Sequence, residues 1–159
     1  MGRECWGIEH RIIYGKPDDK STWDQLDALL QKQYQMANGI RVTIACTLVD
    51  SGDGEYTTNV YNYTKARERI RVFSSKGRGG IGVPLFNNPT KSNSAGALLF
   101  SLGVDSGKSL VYNRLAVEDE GPGYVHYAMQ AERGFNENFF KQLTAEVLEK
   151  KFEKGVMKM

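Results

Sequence analysis

The chain has 159 residues, with 21 Lys and Arg against 19 Asp and Glu for a formal charge of +2; 40% of residues are hydrophobic and 25% charged. That is ordinary globular composition, enough for one domain with a real core. It excludes a polycation that binds nucleic acid by bulk charge, so any such binding must rest on local clustering.

No run approaches the ~18 apolar residues of a membrane span, and Met-Gly-Arg-Glu-Cys-Trp at the N-terminus lacks a signal-peptide apolar region. A cytoplasmic protein with no membrane partner is expected. Cys5, Cys46, His10 and His126 stand apart from one another. The thiols read as reduced core residues, and a zinc site is not expected.

In chain order, the alternation from Cys5 to Tyr14 predicts a strand with one wetter face. After the turn at Gly15 to Asp19, Ser21 and Asp24 approximate a capping box. Trp23, Leu26, Leu30 and Tyr34 then keep helical spacing up to Asn38-Gly39. Ile40 to Asp50 places Val42, Ile44, Cys46 and Leu48 on one face and Thr43, Ala45, Thr47 and Val49 on the other, the pattern of a central strand covered on both sides. Asp50 closes that strand. Either it faces a crevice at the strand's carboxyl end, where open α/β sheets put their sites, or its side chain caps the turn with Gly52.

Thr57 or Thr58 caps a second predicted helix running to Glu68, and Ile70 to Ser74 reads as a short strand. Lys65, Arg67, Arg69, Arg71, Lys76 and Arg78 face only Glu68 in the same stretch. Such a run either lines a phosphate backbone or is a solvated helix end. From 77 to 95 the chain reads as a mobile loop, with a short strand near Val83 to Phe86. Ala97 to Val104 is strand-like, Asp105 or Ser106 caps a helix to Val117, Tyr124 to Tyr127 is a strand, and Asn136 starts a last helix. A strand at Val147 to Phe152 and a turn at Lys154-Gly155 close the chain. The order is that of a mixed α/β layer fold.

Gly103-Val104-Asp105-Ser106-Gly107-Lys108-Ser109 imitates a phosphate loop but is one residue short, with Leu102 where the first glycine belongs. No bound nucleotide is expected, and neither histidine has a nucleophile elbow to serve. Carboxylate chemistry remains. Asp50 and Asp105 both close strands, and two such acids can share divalent cations with a phosphate; for Asp105, helix capping is the competing role.

Several stretches come in the order found in the lambda-like phage terminase large subunit (GpA family): Glu4-Cys-Trp-Gly-Ile-Glu-His, Val49-Asp50-Ser51-Gly52, Lys76-Gly77-Arg78, Gly103-Val104-Asp105-Ser106 with Lys108 and Tyr112-Asn113-Arg114-Leu115, Gly121-Pro122-Gly123-Tyr124-Val125-His126 and Gln142-Leu143-Thr144-Ala145-Glu146. Across nearly its whole length the chain resembles the carboxyl-terminal nuclease domain of that family. The resemblance implies a ribonuclease-H-like mixed sheet flanked by helices, as a single domain over 1–159. It also implies endonuclease cleavage of concatemeric double-stranded DNA with Mg²⁺ or Mn²⁺ in a two-metal arrangement. Asp50 corresponds to the metal-binding acid, with Asp105 as a possible second ligand and Lys76, Arg78, Arg71 and Arg69 on DNA. The terminase small subunit and the capsid portal are the implied partners, in the cytoplasm of a phage-infected or prophage-carrying host. The family's other two metal-binding acids fall on a first strand and a last helix outside 1–159, so the fold is expected to persist while cleavage by this chain alone is impaired. The alternative is a catalytically inactive DNA-binding or motor-assembly module left by a prophage.

Overall fold

The computed structural model describes residues 3–91, 93–146, 151–153 and 156–158. Its elements, in order, are β1 (Cys5–Gly7), α1 (Lys20–Leu30), β2 (Tyr34–Gln35), β3 (Arg41–Val42), β4 (Thr47–Asp50), α2 (Thr57–Lys65), β5 (Val72–Arg78), β6 (Leu99–Gly103), α3 (Val104–Leu115), β7 (Val125–Tyr127), α4 (Glu137–Leu143), β8 (Lys151–Glu153) and β9 (Val156–Lys158). This is a mixed α/β fold with parallel and antiparallel pairings. The chain divides into two compact units, one of Met1–Ile12, Gly79–Val83 and Val104–Met159, the other of Ile13–Arg78 and Pro84–Gly103. Among the described residues no helix is long and apolar enough to cross a membrane.

The second unit is built on a three-stranded parallel ladder in the order β4, β5, β6. Asp50 registers with Ser75, and Ser75 with Phe100. Residues in register share a face, so Leu48, Asp50, Phe73, Ser75 and Phe100 lie on one side, with Phe73 and Phe100 in ring contact. The other side, with Val72 and Ser74, packs on α2. Val72 is 2% exposed, and Val60, Tyr61 and Tyr63 of α2 are buried with it. Inside this seam the hydroxyls of Thr64 and Ser74 share a 2.6 Å hydrogen bond, while Thr64 also bonds the Val60 carbonyl. Both residues have no exposure, so the pair is satisfied only at this one register.

Helix α1 is held to α2 by a polar and aromatic clasp. Arg67 donates through Nε (2.8 Å) and Nη2 (2.6 Å) to the two oxygens of Asp27, and the Tyr63 hydroxyl donates to Asp27 Oδ1 (2.7 Å). Tyr63 is sandwiched, with Trp23 stacked on its ring and the Arg67 guanidinium 3.9 Å from the ring centroid.

In the first unit β1 and β7 run parallel, pairing Trp6 with His126. Those two rings stack within 2° of parallel. Behind them Tyr127, Phe135, Phe139 and Phe140 form a cluster of edge contacts. Gly134 lies against the His10 backbone, where an added Cβ would clash with the His10 carbonyl oxygen. Its φ of 80° suits glycine for a second reason.

Several expectations are corrected. The predicted covered strand from Ile40 to Asp50 is regular only at Arg41–Val42 and Thr47–Asp50, and β4 is an edge strand of its sheet. Ile40 (56%), Val42 (41%), Ile44 (37%) and Leu48 (37%) are exposed rather than packed. Helix α1 stops at Leu30, and Asn38-Gly39 turns a hairpin between β2 and β3, with Met36 N–H bonded to the Ile40 carbonyl. Its N-cap is Asp19, whose carboxylate accepts the Ser21 N–H, not Ser21 itself. The strand from Cys5 to Tyr14 is ladder-paired only to Gly7. Cys5 and Cys46 are free but exposed, not core thiols. Within 77–95, residues 84–90 run antiparallel to β6, with bridges from Phe86 to Leu102 and Thr90 to Leu99. Asn136 does cap the last helix, accepting the Phe139 N–H. Of the last predicted strand only Lys151–Glu153 is described as strand; 147–150 and the Lys154-Gly155 turn lie outside the described residues.

The clasp on Asp27 makes stability depend on pH in a defined direction. The Arg67 hydrogen bonds hold the Asp27 carboxyl below its usual 3.8 against the opposing effect of desolvation. A lowered folded-state value adds stability above the unfolded pKa of about 4 and loses it as pH falls through the folded value. Asp27→Asn is therefore expected to lose about 2 kcal/mol at pH 7 and to flatten the loss of stability below pH 4, measured by urea denaturation across pH.

Candidate metal and nucleic-acid site

The parallel ladder brings the carboxyl ends of β4, β5 and β6 to one edge. Asp50 ends β4 there and is exposed. Its Oδ1 accepts the Gly52 N–H at 3.1 Å; no other hydrogen bond of its carboxylate is found among the described residues. The side chain thus makes the turn contact expected of a capping acid, on a residue that stays exposed.

The backbone after Asp50 is fastened. Ser51, 1% exposed, donates through both its N–H and its hydroxyl to the Ser75 carbonyl, each at 2.8 Å. The Thr57 hydroxyl at the start of α2 reaches the Ser51 carbonyl (3.0 Å) and the Asp53 carbonyl (2.5 Å). Asp53 in turn accepts the Glu55 N–H. The sequence signal for this corner was the Asp-Ser-Gly triplet itself: a side-chain acceptor, a small hydroxyl and a residue without Cβ.

Lys76 and Arg78 extend from the end of β5 and are exposed. By strand alternation they share the face of Ser74, opposite to Asp50 and Ser75. Arg69 and Arg71 belong to the other end of β5, Arg69 in a 3-10 turn and Arg71 at its left-handed C-cap with φ 62°. The seven residues of β5 separate the two pairs by roughly 20 Å. Lys65 is spent on Glu68 and the Gly96 carbonyl, and Arg67 on Asp27. The basic run is therefore not one patch.

Asp105 lies in the first unit, in the first turn of α3, where its Oδ2 accepts the Gly80 N–H at 2.8 Å. The neighbouring Ser106 hydroxyl donates to the Val83 carbonyl, and Lys108 pairs with Glu146. The polar groups of the near-phosphate-loop thus tie the 79–83 segment and the end of α4 to α3. Among the described residues no three His, Cys, Asp or Glu side chains converge as a metal cage. Asp50 stands in one unit and Asp105 in the other. A single ion held by one carboxylate, with water and phosphate oxygens completing its shell, fits Asp50.

The family described as "Terminase large subunit gpA, endonuclease domain" matches residues 1–159. The chain is similar to the terminase large subunit of Escherichia phage lambda, 34% identical over 162 residues that cover 99% of this chain and 25% of that protein. It is also similar to the terminase large subunit of Enterobacteria phage P21, 32% identical over 164 residues with the same coverage. The chain thus spans about a quarter of the length of these relatives. No solved structure matches.

Asp105→Ala is expected to cost about 1 kcal/mol in thermal or urea unfolding by removing the hydrogen bond to the Gly80 amide. Mn²⁺ binding should be unchanged.

Proposed function

Because this chain belongs to the family of terminase large-subunit endonuclease domains, we propose that it is the DNA-cutting part of a phage packaging terminase, using a divalent ion held by Asp50. The observation that carries this reading is an exposed acid at the carboxyl edge of a parallel ladder whose next strand ends in Lys76 and Arg78. Mg²⁺ or Mn²⁺ is the fitting ion, since it takes one or two carboxylates and fills its shell with water and phosphate oxygens. When bound, it supplies charge to stabilise the oxygens that become negative as a phosphodiester breaks.

Asp50 holds and orients the ion, and Gly52 N–H keeps one carboxylate oxygen in place. Lys76 and Arg78 position the phosphate backbone of double-stranded DNA as point charges and donors. Arg69 and Arg71, at the far end of β5, extend the contact along the duplex. Asp105 is assigned to the Gly80 contact rather than to the ion. In this proposal the terminase small subunit and the portal are the partners, and the host cytoplasm is the place of action. With one acid as its protein ligand the ion is loosely held, so cleavage by this chain alone is weak.

A second reading, a module that binds DNA without cutting it, is favoured by the absence of a three-ligand cage among the described residues. The two part in a nicking assay on plasmid DNA with Mn²⁺ titrated to millimolar levels. Weak, metal-dependent nicking that Asp50→Asn lowers by about 100-fold or more supports the nuclease, because even outer-shell partners of a metal are worth up to about 100-fold. DNA retention that ignores metal, with no nicks, supports the module. Strong cleavage unaffected by Asp50→Asn overturns the assignment of Asp50.

Lys76→Ala and Arg78→Ala are each expected to weaken DNA binding irrespective of sequence. Each should also reduce the slope of log affinity against log salt by about 1, measured by fluorescence anisotropy.

A further inference from the structure

We infer that Ser51 and Gly52 are positioning residues for Asp50: Ser51 fixes the corner of backbone that carries the acid, and Gly52 sets the direction of its carboxylate. The inference rests on the reading of Asp50 as an ion ligand and goes beyond it.

Ser51 has every polar group engaged. Its N–H and hydroxyl both bond the Ser75 carbonyl, and its own carbonyl accepts from Thr57. Ser75 is also the ladder partner of Asp50. The corner is therefore anchored to β5 at the level of the acid and to α2 one residue later. A buried, fully bonded serine resists rotation, so the Cα to Cβ bond of Asp50 is aimed before any ion arrives.

Gly52 acts on the side chain. Its N–H holds Oδ1, and a Cβ added at Gly52 would lie 3.3 Å from both Oδ1 and Oδ2. Gly52 is not among the glycines with positive φ, so alanine would fit its backbone without strain. The glycine is needed here for the space beside the carboxylate, not for backbone freedom. An alanine would keep the amide donor but press on both oxygens, turning the carboxylate from the direction it now has.

The test measures Mn²⁺ binding to the chain by the electron paramagnetic resonance signal of the free ion, with calorimetric melting run alongside. Gly52→Ala is expected to weaken Mn²⁺ binding about tenfold, the scale of second-shell losses, with the melting temperature unchanged. Asp50→Asn combined with Gly52→Ala should bind no more weakly than Asp50→Asn alone. Wild-type affinity in Gly52→Ala overturns the inference, and so does an equal further loss in the Asp50→Asn background. A check of the underlying reading without substitution follows the Gly52 amide resonance, which should broaden at substoichiometric Mn²⁺; an unbroadened signal beside broadened ones elsewhere places the ion away from Asp50 and overturns that reading. If Asp50→Asn binds Mn²⁺ as well as wild type does, the ion-ligand reading of Asp50 itself has failed, a result distinct from failure at Gly52 alone.

Discussion

The hydrogen bond between Thr64 and Ser74 is the contact on which the second unit's geometry depends. It sits inside the packed seam between α2 and β5, where neither hydroxyl can turn to water. Sliding the helix by one residue would bury both without partners, at about 1–3 kcal/mol each. The seam therefore has one register. Because α2 follows β4 through the 51–56 turn, that register also decides where the corner after Asp50 is pinned. The Thr57 hydroxyl, at the start of the same helix, completes the fastening. Placement of the acid is thus a product of helix-on-sheet packing more than of β4, a four-residue edge strand.

How much of this could be read from the residues depends on which signals compete. Asp50 as a strand-ending acid was legible, because the apolar run before it and the Ser51-Gly52 turn after it leave little choice of conformation. The reach of that strand was not. Alternation between Ile40 and Leu48 has the period of a strand, but period reports which side chains share a face and says nothing of whether anything covers that face. Asn38-Gly39 carried the missing information: flanked by β-prone residues it is the strongest short hairpin signal, and it closes β2 on β3 rather than ending a long helix. Helix α4 was legible because a single capping asparagine precedes an aromatic stripe with no rival pattern.

The basic run shows the same limit at the level of function. Six cations within fourteen residues look like one surface in one dimension, yet a helix, a 3-10 turn and a strand distribute them over both ends of β5 and into two internal clasps. Arg67 illustrates the point. Its charge is consumed by Asp27 and its plane by Tyr63, a pairing across forty positions that local spacing does not encode. Asp105 was ambiguous for a different reason, since a strand-to-helix junction rewards an acid whether or not an ion is present, and here the Gly80 amide takes it.

The outer side of β4 carries a consequence for handling the molecule. Among the described residues it pairs with no further strand, and Val42, Ile44 and Leu48 stand exposed along the same stretch with the Cys46 thiol between them. Bare amides beside aliphatic side chains form a template for another chain to pair with, and no lysine or proline interrupts it from Ile40 to Asp50. Concentrated preparations will tend to associate edge to edge through this strip, and air oxidation of Cys46 would then lock such pairs covalently.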